Sequence, residues 1–189
     1  MTWPAPVTLA GDHVRLEPLN IAHAEALKAS AADLGQLWYT SIPTVKGMEA
    51  EITRRIGLHD MQPFTVMTPD RTPVGMTTFM NTDEVNRRVE IGSTWIGRAV
   101  QRTPLNTEAK FLMLRHAFED LSCNAVEFRT HRMNFQSRRA IERLGAQLDG
   151  ILRAHMVMSN GTLRDTAVYS IVAAEWPTVH AHLLHKLEQ

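Results

Sequence analysis

The sequence predicts an α/β (α+β) protein built on one mixed β-sheet flanked by helices. Three observations favour this class. Strand-like and helix-like segments alternate along the chain, a turn-rich segment at residues 69–73 joins two of the strands, and an Asn160–Gly161 pair marks a second hairpin. Strands interleaved with helices around hairpins indicate a sheet that has both parallel and antiparallel neighbours.

The first half of the chain is predicted to contain a strand, two helices and three further strands. Apolar residues alternate at Val14 and Leu16, which is typical of a strand, and Asn20 is placed to cap the helix that follows. The predicted elements are a strand at 13–19, helices at 21–34 and 46–61, and strands at 64–68, 74–81 and 88–96.

Strict alternation in the strand at 88–96 assigns its side chains to two faces. One face is predicted to carry Val89, Ile91 and Trp95, and the other is predicted to carry Glu90, Gly92, Thr94 and Ile96. The Glu90 carboxylate is therefore expected on the side opposite the apolar residues.

The second half begins with a predicted helix at 104–122 and a strand at 124–131. The next helix has both ends signalled, since Asn134 is a good N-cap and Gly145 follows the last helical residue. Two strands about Asn160–Gly161 and a final helix at 175–187 complete the chain.

Composition excludes several classes of protein. The 189 residues are 44% hydrophobic and 21% charged, as in an ordinary globular protein, and we expect a single domain over 1–189. A net charge of zero gives no electrostatic reason to expect nucleic acid or membrane as a partner. No targeting or membrane-spanning pattern is found, and the single cysteine, Cys123, excludes an intramolecular disulfide framework, so a cytoplasmic location is expected.

The loop that joins the 88–96 strand to the next helix is polar and contains no glycine between Val100 and Lys110. A strand, a polar loop and a helix N-terminus together favour an anion site. Thr103 is a good N-cap, and Pro104 has the backbone angle that suits a first helical position. A well-capped helix start without a ligand is the alternative interpretation.

The element order, taken with four segments of the sequence, resembles the GNAT superfamily of CoA-dependent N-acetyltransferases, and within it the RimJ/RimL-like branch. The four segments are VEIGSTWI with its following loop and helix, NFQSRRAIERLGA, GILRAH and NGTLRDTAVYSI. The resemblance implies a twisted, mostly antiparallel sheet of about seven strands, with a splayed parallel pair that holds acetyl-CoA. It also implies direct acetyl transfer to a primary amine, either a protein N-terminal amine or a small molecule, without a metal.

The family binds the CoA pyrophosphate in a loop of the form Q/R-x-x-G-x-G/A. Gln101, Pro104 and Asn106 fall at the three marked positions, so both glycine-type positions are replaced. Pro104 has no N–H to offer an anion, which leaves neighbouring amides and the positive helix end. By resemblance the cofactor-binding residues are Thr94, Trp95, Ile96, Gln101, Arg102, Thr103, Leu105, Asn106, Asn134 and Ser137.

Acetyl transfer needs a base, because a free amine is mostly protonated at neutral pH. Glu90 is the first candidate, since its strand lies beside the acetyl group in this family, while His131, His155 and water remain open. A backbone N–H near Thr94–Trp95 would polarise the thioester carbonyl. Ser137 would protonate the thiolate or contact the pantetheine arm, because the tyrosine that other branches carry four positions later is Ile141 here.

Trp38, Tyr39 and His155 are the residues expected to contact the acceptor, and packing is the alternative role for the two aromatic residues. The mixed charges of the early helices leave the acceptor's charge open, and a homodimer is also left open. A CoA-binding or sensory module with little turnover is the second hypothesis, supported by the missing glycines and tyrosine. A P-loop is excluded because no Lys-Ser/Thr pair follows the loop.

Overall fold

A computed structural model describes residues 3–35, 37–40 and 42–189 of the chain. The helices are α1 (Ala24–Ala31), α2 (Met48–Gly57), α3 (Leu105–Arg115), α4 (Phe135–Arg143) and α5 (Trp176–Leu187). The strands are β1 (Leu9–Ala10), β2 (Arg15–Pro18), β3 (Gln62–Met67), β4 (Pro73–Asp83), β5 (Arg88–Ile96), β6 (Ala125–His131), β7 (Gln147–Val157) and β8 (Leu163–Val172). The predicted order of elements is confirmed. The additional strand is β1, which is too short to leave an alternating pattern in the sequence.

The eight strands form one sheet in the order β1-β2-β3-β4-β5-β6-β8-β7. Neighbours run antiparallel except β5 and β6, which run parallel and pair only at Arg88–Ala125, Val89–Val126 and Glu90–Glu127. The predicted class, a mixed and mostly antiparallel sheet with one parallel pair, is therefore confirmed.

Helices cover both faces of the sheet, and each face has its own apolar cluster. The main cluster joins α3 and α5 to the inner strands and includes Phe79, Ile91 and Leu114. The second, smaller cluster packs α1 and α2 on β4 and β5 through Leu27, Ile52 and other side chains. Within the described ranges, no helix is both long enough and apolar enough to cross a bilayer.

The helix cap, helix end and hairpin turn predicted from the sequence are found in the structure. The Ser137 N–H donates to the Asn134 side chain at 3.1 Å, and Gly145 adopts a φ of +101° just beyond α4. Gly161 has a φ of +82° in the β7–β8 turn, which closes with a bond from its N–H to the Met158 carbonyl at 2.8 Å. In the region predicted as a helix over 104–122, the α-helix ends at Arg115 and a π-helical turn follows at His116–Asp120.

One prediction about β5 is wrong. Trp95 does not share a face with Val89 and Ile91, because Ser93 and Thr94 together oppose a single residue of β4, and Ser93 adopts a φ of +49°. This two-against-one bulge reverses the alternation beyond it. Trp95 consequently packs in the cluster beneath α1 and α2, while Val89 and Ile91 belong to the main cluster. Thr94 and Ile96, predicted on the Glu90 face, lie instead on the side of the main cluster, where Thr94 contacts Lys110 of α3.

Candidate functional site

The parallel strands β5 and β6 separate after Glu90 and Glu127, and the sheet opens there. Beyond that point β5 continues along β4 to Ile96, and β6 continues along β8 to His131. The first turn of α3 is linked to the C-terminal end of α4 by a hydrogen bond from the Arg143 guanidinium to the Thr107 hydroxyl at 3.0 Å. An extended ligand that enters between the strands would meet backbone groups left unpaired by the separation.

Glu90 is a buried carboxylate at the point where the strands part, with 5% of its surface exposed. Asn81 Nδ2 donates to Glu90 Oε2 at 2.7 Å, and Arg129 Nε lies 3.6 Å from the same oxygen. A Cβ at Gly92 would lie 2.9 Å from Glu90 Oε1, so the missing side chain leaves room for the carboxylate. Burial raises the pKa of Glu90, and the Asn81 bond and the Arg129 charge oppose that rise.

Glu127 lies directly across from Glu90 on β6 and has a different environment. It is paired with Arg88 and with Arg129, whose Nη2 lies 2.9 Å from Glu127 Oε2. Burial acts to raise the pKa of Glu127, but the two guanidinium groups outweigh burial and lower it. The two neighbouring carboxylates are thus differentiated, and the one with the raised pKa suits proton transfer at neutral pH.

His131 ends β6 on the same face of the sheet as Glu127 and Arg129, and only 4% of its surface is exposed. The Met133 N–H donates to His131 Nδ1 at 3.0 Å, which places the ring proton of the neutral imidazole on Nε2. Nε2 is buried and has no hydrogen-bond partner within the described residues. Burial, together with Arg164, lowers the pKa of His131, so the ring is a neutral donor rather than a cation.

Trp38 and Tyr39, the predicted acceptor contacts, lie over this imidazole. The ring centroids of Trp38 and His131 are 5.1 Å apart, those of Tyr39 and His131 are 5.9 Å apart, and the two aromatic rings meet edge-to-face at 5.4 Å. Trp38 remains half exposed, at 52%. The loop between α1 and α2 therefore supplies an aromatic wall beside the opening.

Residues of β7 and β8 form the other side of the pocket. Thr166 lies across from His131, and its hydroxyl is 3.0 Å from Nδ1 of His155, an exposed residue at the rim. Arg164 is close enough to influence the pKa of both Glu90 and His131. Contacts thus link His131 to Trp38, Tyr39 and, through Thr166, His155, and the charge of Arg164 reaches both His131 and Glu90.

The loop from Gln101 to Asn106 lies between the end of β5 and the start of α3. Gln101 Nε2 donates to the Ile96 carbonyl at 3.1 Å, and the Thr103 hydroxyl donates to the Val100 carbonyl at 2.8 Å. Arg102 adopts a φ of +63°, an uncommon conformation for a residue with a side chain, and such positions are concentrated at functional sites.

The helix start differs by one residue from the prediction. The α-helix begins at Leu105, and Pro104 precedes it with a φ of −60°; the Leu105 N–H meets the Thr103 hydroxyl oxygen at 3.4 Å. The first intrahelical bond runs from the Glu108 N–H to the Pro104 carbonyl at 2.9 Å, which leaves the preceding amides for other partners. Leu105 is buried, so only its backbone is available to a ligand, and Asn106 is half-buried.

The remaining predicted cofactor residues lie on both sides of the opening. Thr94 is exposed on β5 and Ile96 packs against the main cluster, whereas the Trp95 side chain points away and offers only its backbone. Ser137 is half-buried in the first turn of α4. Ile141 is buried in the main cluster, so this position contributes packing and no hydroxyl. Cys123 is buried as predicted, and burial raises its pKa to about 11, which disfavours a nucleophilic thiolate.

Asn134 serves as the N-cap of α4, and this role is separable from cofactor binding. Asn134→Ala is expected to lower the free energy of unfolding by about 1 kcal/mol, because the cap bond to Ser137 is lost. Asn134→Asp keeps the cap and is the matched control. Urea denaturation of both variants, followed by acetyl-CoA titration, separates the roles: weaker binding in Asn134→Asp, with stability retained, indicates contact with the cofactor through the amide.

Sequence reasoning missed two buried cations that hold the β5 bulge. Arg55 of α2 donates to the Ser93 carbonyl at 3.0 Å from one face of the sheet, and Lys110 of α3 donates to the Thr94 hydroxyl at 2.7 Å. Glu51, four residues before Arg55, was the available signal for the first. Lys110 lies in an otherwise apolar helix run and gave no signal.

The acetyltransferase (GNAT) domain family matches residues 13–147. YdaF of Bacillus subtilis, named as a candidate ribosomal N-acetyltransferase, is 34% identical over 107 residues, a stretch that is 57% of this chain and 57% of that protein. This chain therefore matches a little over half the length of that relative.

Solved structures extend the likeness to nearly the whole chain. A GCN5-related N-acetyltransferase from Brucella melitensis is 33% identical, with a TM-score of 0.89 over 97% of this chain and 86% of that one. RimJ of Mycobacterium smegmatis, solved in complex with CoA-disulfide, is 23% identical, with a TM-score of 0.79 over 98% of this chain and 96% of that one. At this lower identity the likeness to RimJ shows the fold alone.

Proposed function

Because the chain belongs to the GNAT acetyltransferase family, we propose that it transfers the acetyl group of acetyl-CoA directly to a primary amine, with Glu90 as the general base. The observation that carries the proposal is the position of Glu90, a buried carboxylate with a raised pKa at the point where β5 and β6 separate. A carboxylate in that environment binds a proton more readily than an ordinary glutamate, which suits a general base.

Acetyl-CoA would lie in the opening between the strands, with its pyrophosphate at the start of α3. The amides that precede the first intrahelical bond of α3, the positive end of the helix and the Arg102 guanidinium are the available groups for that anion. The bound CoA-disulfide of the RimJ structure supports CoA as the ligand of this fold. The two missing glycines are offset by Pro104, which fixes the loop before α3.

The chemical step requires a base that takes the amine proton and a donor that stabilises the negative charge on the carbonyl oxygen. Glu90 takes the proton of the amine, directly or through water, and the neutral nitrogen then attacks the thioester carbonyl. A backbone N–H near Thr94–Trp95, at the bulge of β5, would stabilise the oxyanion. Arg129 and Arg164 near Glu90 would keep the carboxylate in place between turnovers.

We propose a protein N-terminal amine as the first acceptor to test. The name of the Bacillus subtilis relative refers to ribosomal N-acetylation, which supports this class. The Trp38–Tyr39 wall and the neutral His131 donor would contact the residue that carries the amine. Small amines remain the second acceptor class.

Release of the CoA thiol tests the proposal directly. Acetyl-CoA is incubated with the protein and short peptides whose N-terminus is free or formylated, and with a polyamine and an amino acid. Thiol release that requires a free amine is expected. If none of these amines makes thiol release faster than it is without an acceptor, the proposal is contradicted. That result favours the alternative, a CoA-binding or sensory module with little turnover. That alternative is supported by the apolar Ile141 and the glycine-free loop.

A further inference from the structure

Lys110 is a buried lysine, and no carboxylate in the described part of the chain pairs with it. Only 6% of its surface is exposed, and its ammonium donates to the Thr77 hydroxyl at 2.8 Å and to the Thr94 hydroxyl at 2.7 Å. Burial is the cause that lowers its pKa to about 7. The neighbouring Glu108 is turned away, since its carboxylate accepts from the Asp12 and His13 amides.

The two threonines differ in what they can reach. Thr77 is on β4 and is fully enclosed, with 1% exposed, and its hydroxyl also meets the Met113 sulfur at 3.6 Å. Thr94 is exposed in the bulge of β5, at the side of the opening. Its bond to the Gly92 carbonyl is long, at 3.4 Å, and its oxygen lies 2.8 Å from the Thr77 hydroxyl oxygen, a pair in which either group can donate. When Thr77 is the donor, the Thr94 proton is available to an acceptor in the cleft. Thr94 therefore connects the enclosed ammonium to the cleft.

We propose that Lys110, acting through the Thr94 hydroxyl, supplies the proton that the departing CoA thiolate takes up. This inference rests on the proposed acetyl transfer, in which the thioester carbonyl lies at Thr94–Trp95 and the sulfur is one bond away. As the C–S bond breaks, its electron pair stays on sulfur, and sulfur takes the Thr94 hydroxyl proton. The Thr94 oxygen takes a proton from the Lys110 ammonium, which becomes a neutral amine.

The proton balance closes over one turnover. An ammonium acceptor loses two protons from its nitrogen. Glu90 takes the first before attack and passes it to solvent, and it takes the second, directly or through water, as the tetrahedral intermediate collapses. The proton gained by CoA comes from Lys110, and solvent restores both groups after product release, so one proton is released per turnover. An ordinary thiol has a pKa of about 8.5, so transfer from a group with a pKa of about 7 to a thiolate is downhill. The Ile141 side chain cannot serve this role, because it carries no acidic proton.

The test uses three variants that remove one partner at a time. Lys110→Met and Thr94→Val are each expected to lower kcat by about 10²-fold, as for the loss of a general acid, with acetyl-CoA affinity retained. Their double variant is expected to be no slower than the slower single variant, because the two groups act in series. Thr77→Val removes an enclosed hydroxyl that contacts both Lys110 and Thr94 but is itself buried away from the cleft. This variant is the matched control and is expected to keep most of its activity.

The pH profile distinguishes proton supply from a structural role. The wild-type kcat is expected to fall as pH rises through the pKa of Lys110, about 7, because the acid must be protonated. This alkaline fall should be absent in Lys110→Met and Thr94→Val and present in Thr77→Val. An unchanged profile in the first two, or equal losses in all three, overturns the proposal. A wild type that binds acetyl-CoA but acetylates no amine would instead overturn the proposed function, and the proton relay with it.

Discussion

Glu90→Gln is expected to lower kcat by about 10²–10⁴-fold while leaving acetyl-CoA affinity unchanged, because it removes the base and keeps the shape of the side chain. The amide still fits beside Gly92 and still lies within reach of Asn81. Steady-state kinetics with a free-amine peptide, together with calorimetric titration of acetyl-CoA, give the two quantities. Since a base must be ionised, the wild-type rate should also rise with pH through the raised pKa of Glu90, and this rise should be lost in the variant.

Glu127→Gln is the matched control, since it changes the same functional group at the register partner of Glu90. Its pKa is lowered by Arg88 and Arg129, which makes it a poor base, and we expect its loss in kcat to be below about tenfold. Equal losses in the two variants would mean that the charge balance of the pocket, and not proton transfer by Glu90, sets the rate. Full activity of Glu90→Gln would show that Glu90 is not the base and that a histidine or water takes the amine proton.

Arg55→Met is expected to lower the free energy of unfolding by about 3 kcal/mol, at the lower end for breaking a buried ion pair, because Glu51 keeps its second partner, Arg54. The buried guanidinium also donates to the Thr78 hydroxyl at 3.3 Å and to the Ser93 carbonyl at 3.0 Å. The variant leaves both oxygens without this donor. Equilibrium urea denaturation, with a check that the m-value is unchanged, measures the loss.

Arg54→Ala provides the comparison, because it removes the partner of the same carboxylate from an exposed position. Its cost is expected to be below about 1 kcal/mol. A similar small loss in Arg55→Met would show that the buried guanidinium does not support the β5 bulge. If Arg55→Met loses more activity than its smaller folded fraction explains, the bulge that Arg55 holds is needed for catalysis at the opening between β5 and β6.

The elements that sequence predicted correctly carry their signals locally. Asn134 and Gly145 mark the ends of α4 through the backbone conformations they favour, and Asn160–Gly161 marks the β7–β8 turn in the same way. Family membership is confirmed as well, because the acetyltransferase (GNAT) domain family matches residues 13–147.

The bulge of β5 could not be predicted, since it depends on how β4 pairs with β5. The sequence of β5 alone does not indicate that Ser93 and Thr94 together oppose one residue of β4. Strict alternation was therefore continued through the bulge, and Thr94, Trp95 and Ile96 were each assigned to the wrong face. Glu90 lies before the bulge, so its assignment to the face opposite Val89 and Ile91 was unaffected.

The neighbours that tune the site come from distant parts of the chain. Arg129 reaches Glu90 from β6, Trp38 reaches His131 from the loop between α1 and α2, and Lys110 reaches Thr94 from α3. These contacts join residues that are far apart in the sequence, so a single sequence does not predict them. Glu90 was named as a candidate from family resemblance, whereas its differentiation from Glu127 required the fold.

Calorimetric titration with acetyl-CoA tests the central claim most directly, namely that the opening between β5 and β6 with its glycine-free loop binds this substrate. ATP and dephospho-CoA are the controls, and cooperative urea unfolding of the same sample verifies that it is folded. We expect saturable binding of acetyl-CoA and dephospho-CoA and none of ATP. Folded protein that gives no binding with acetyl-CoA would mean that Pro104 and Asn106 have closed the pyrophosphate site, and the fold would then be retained without its acetyltransferase chemistry.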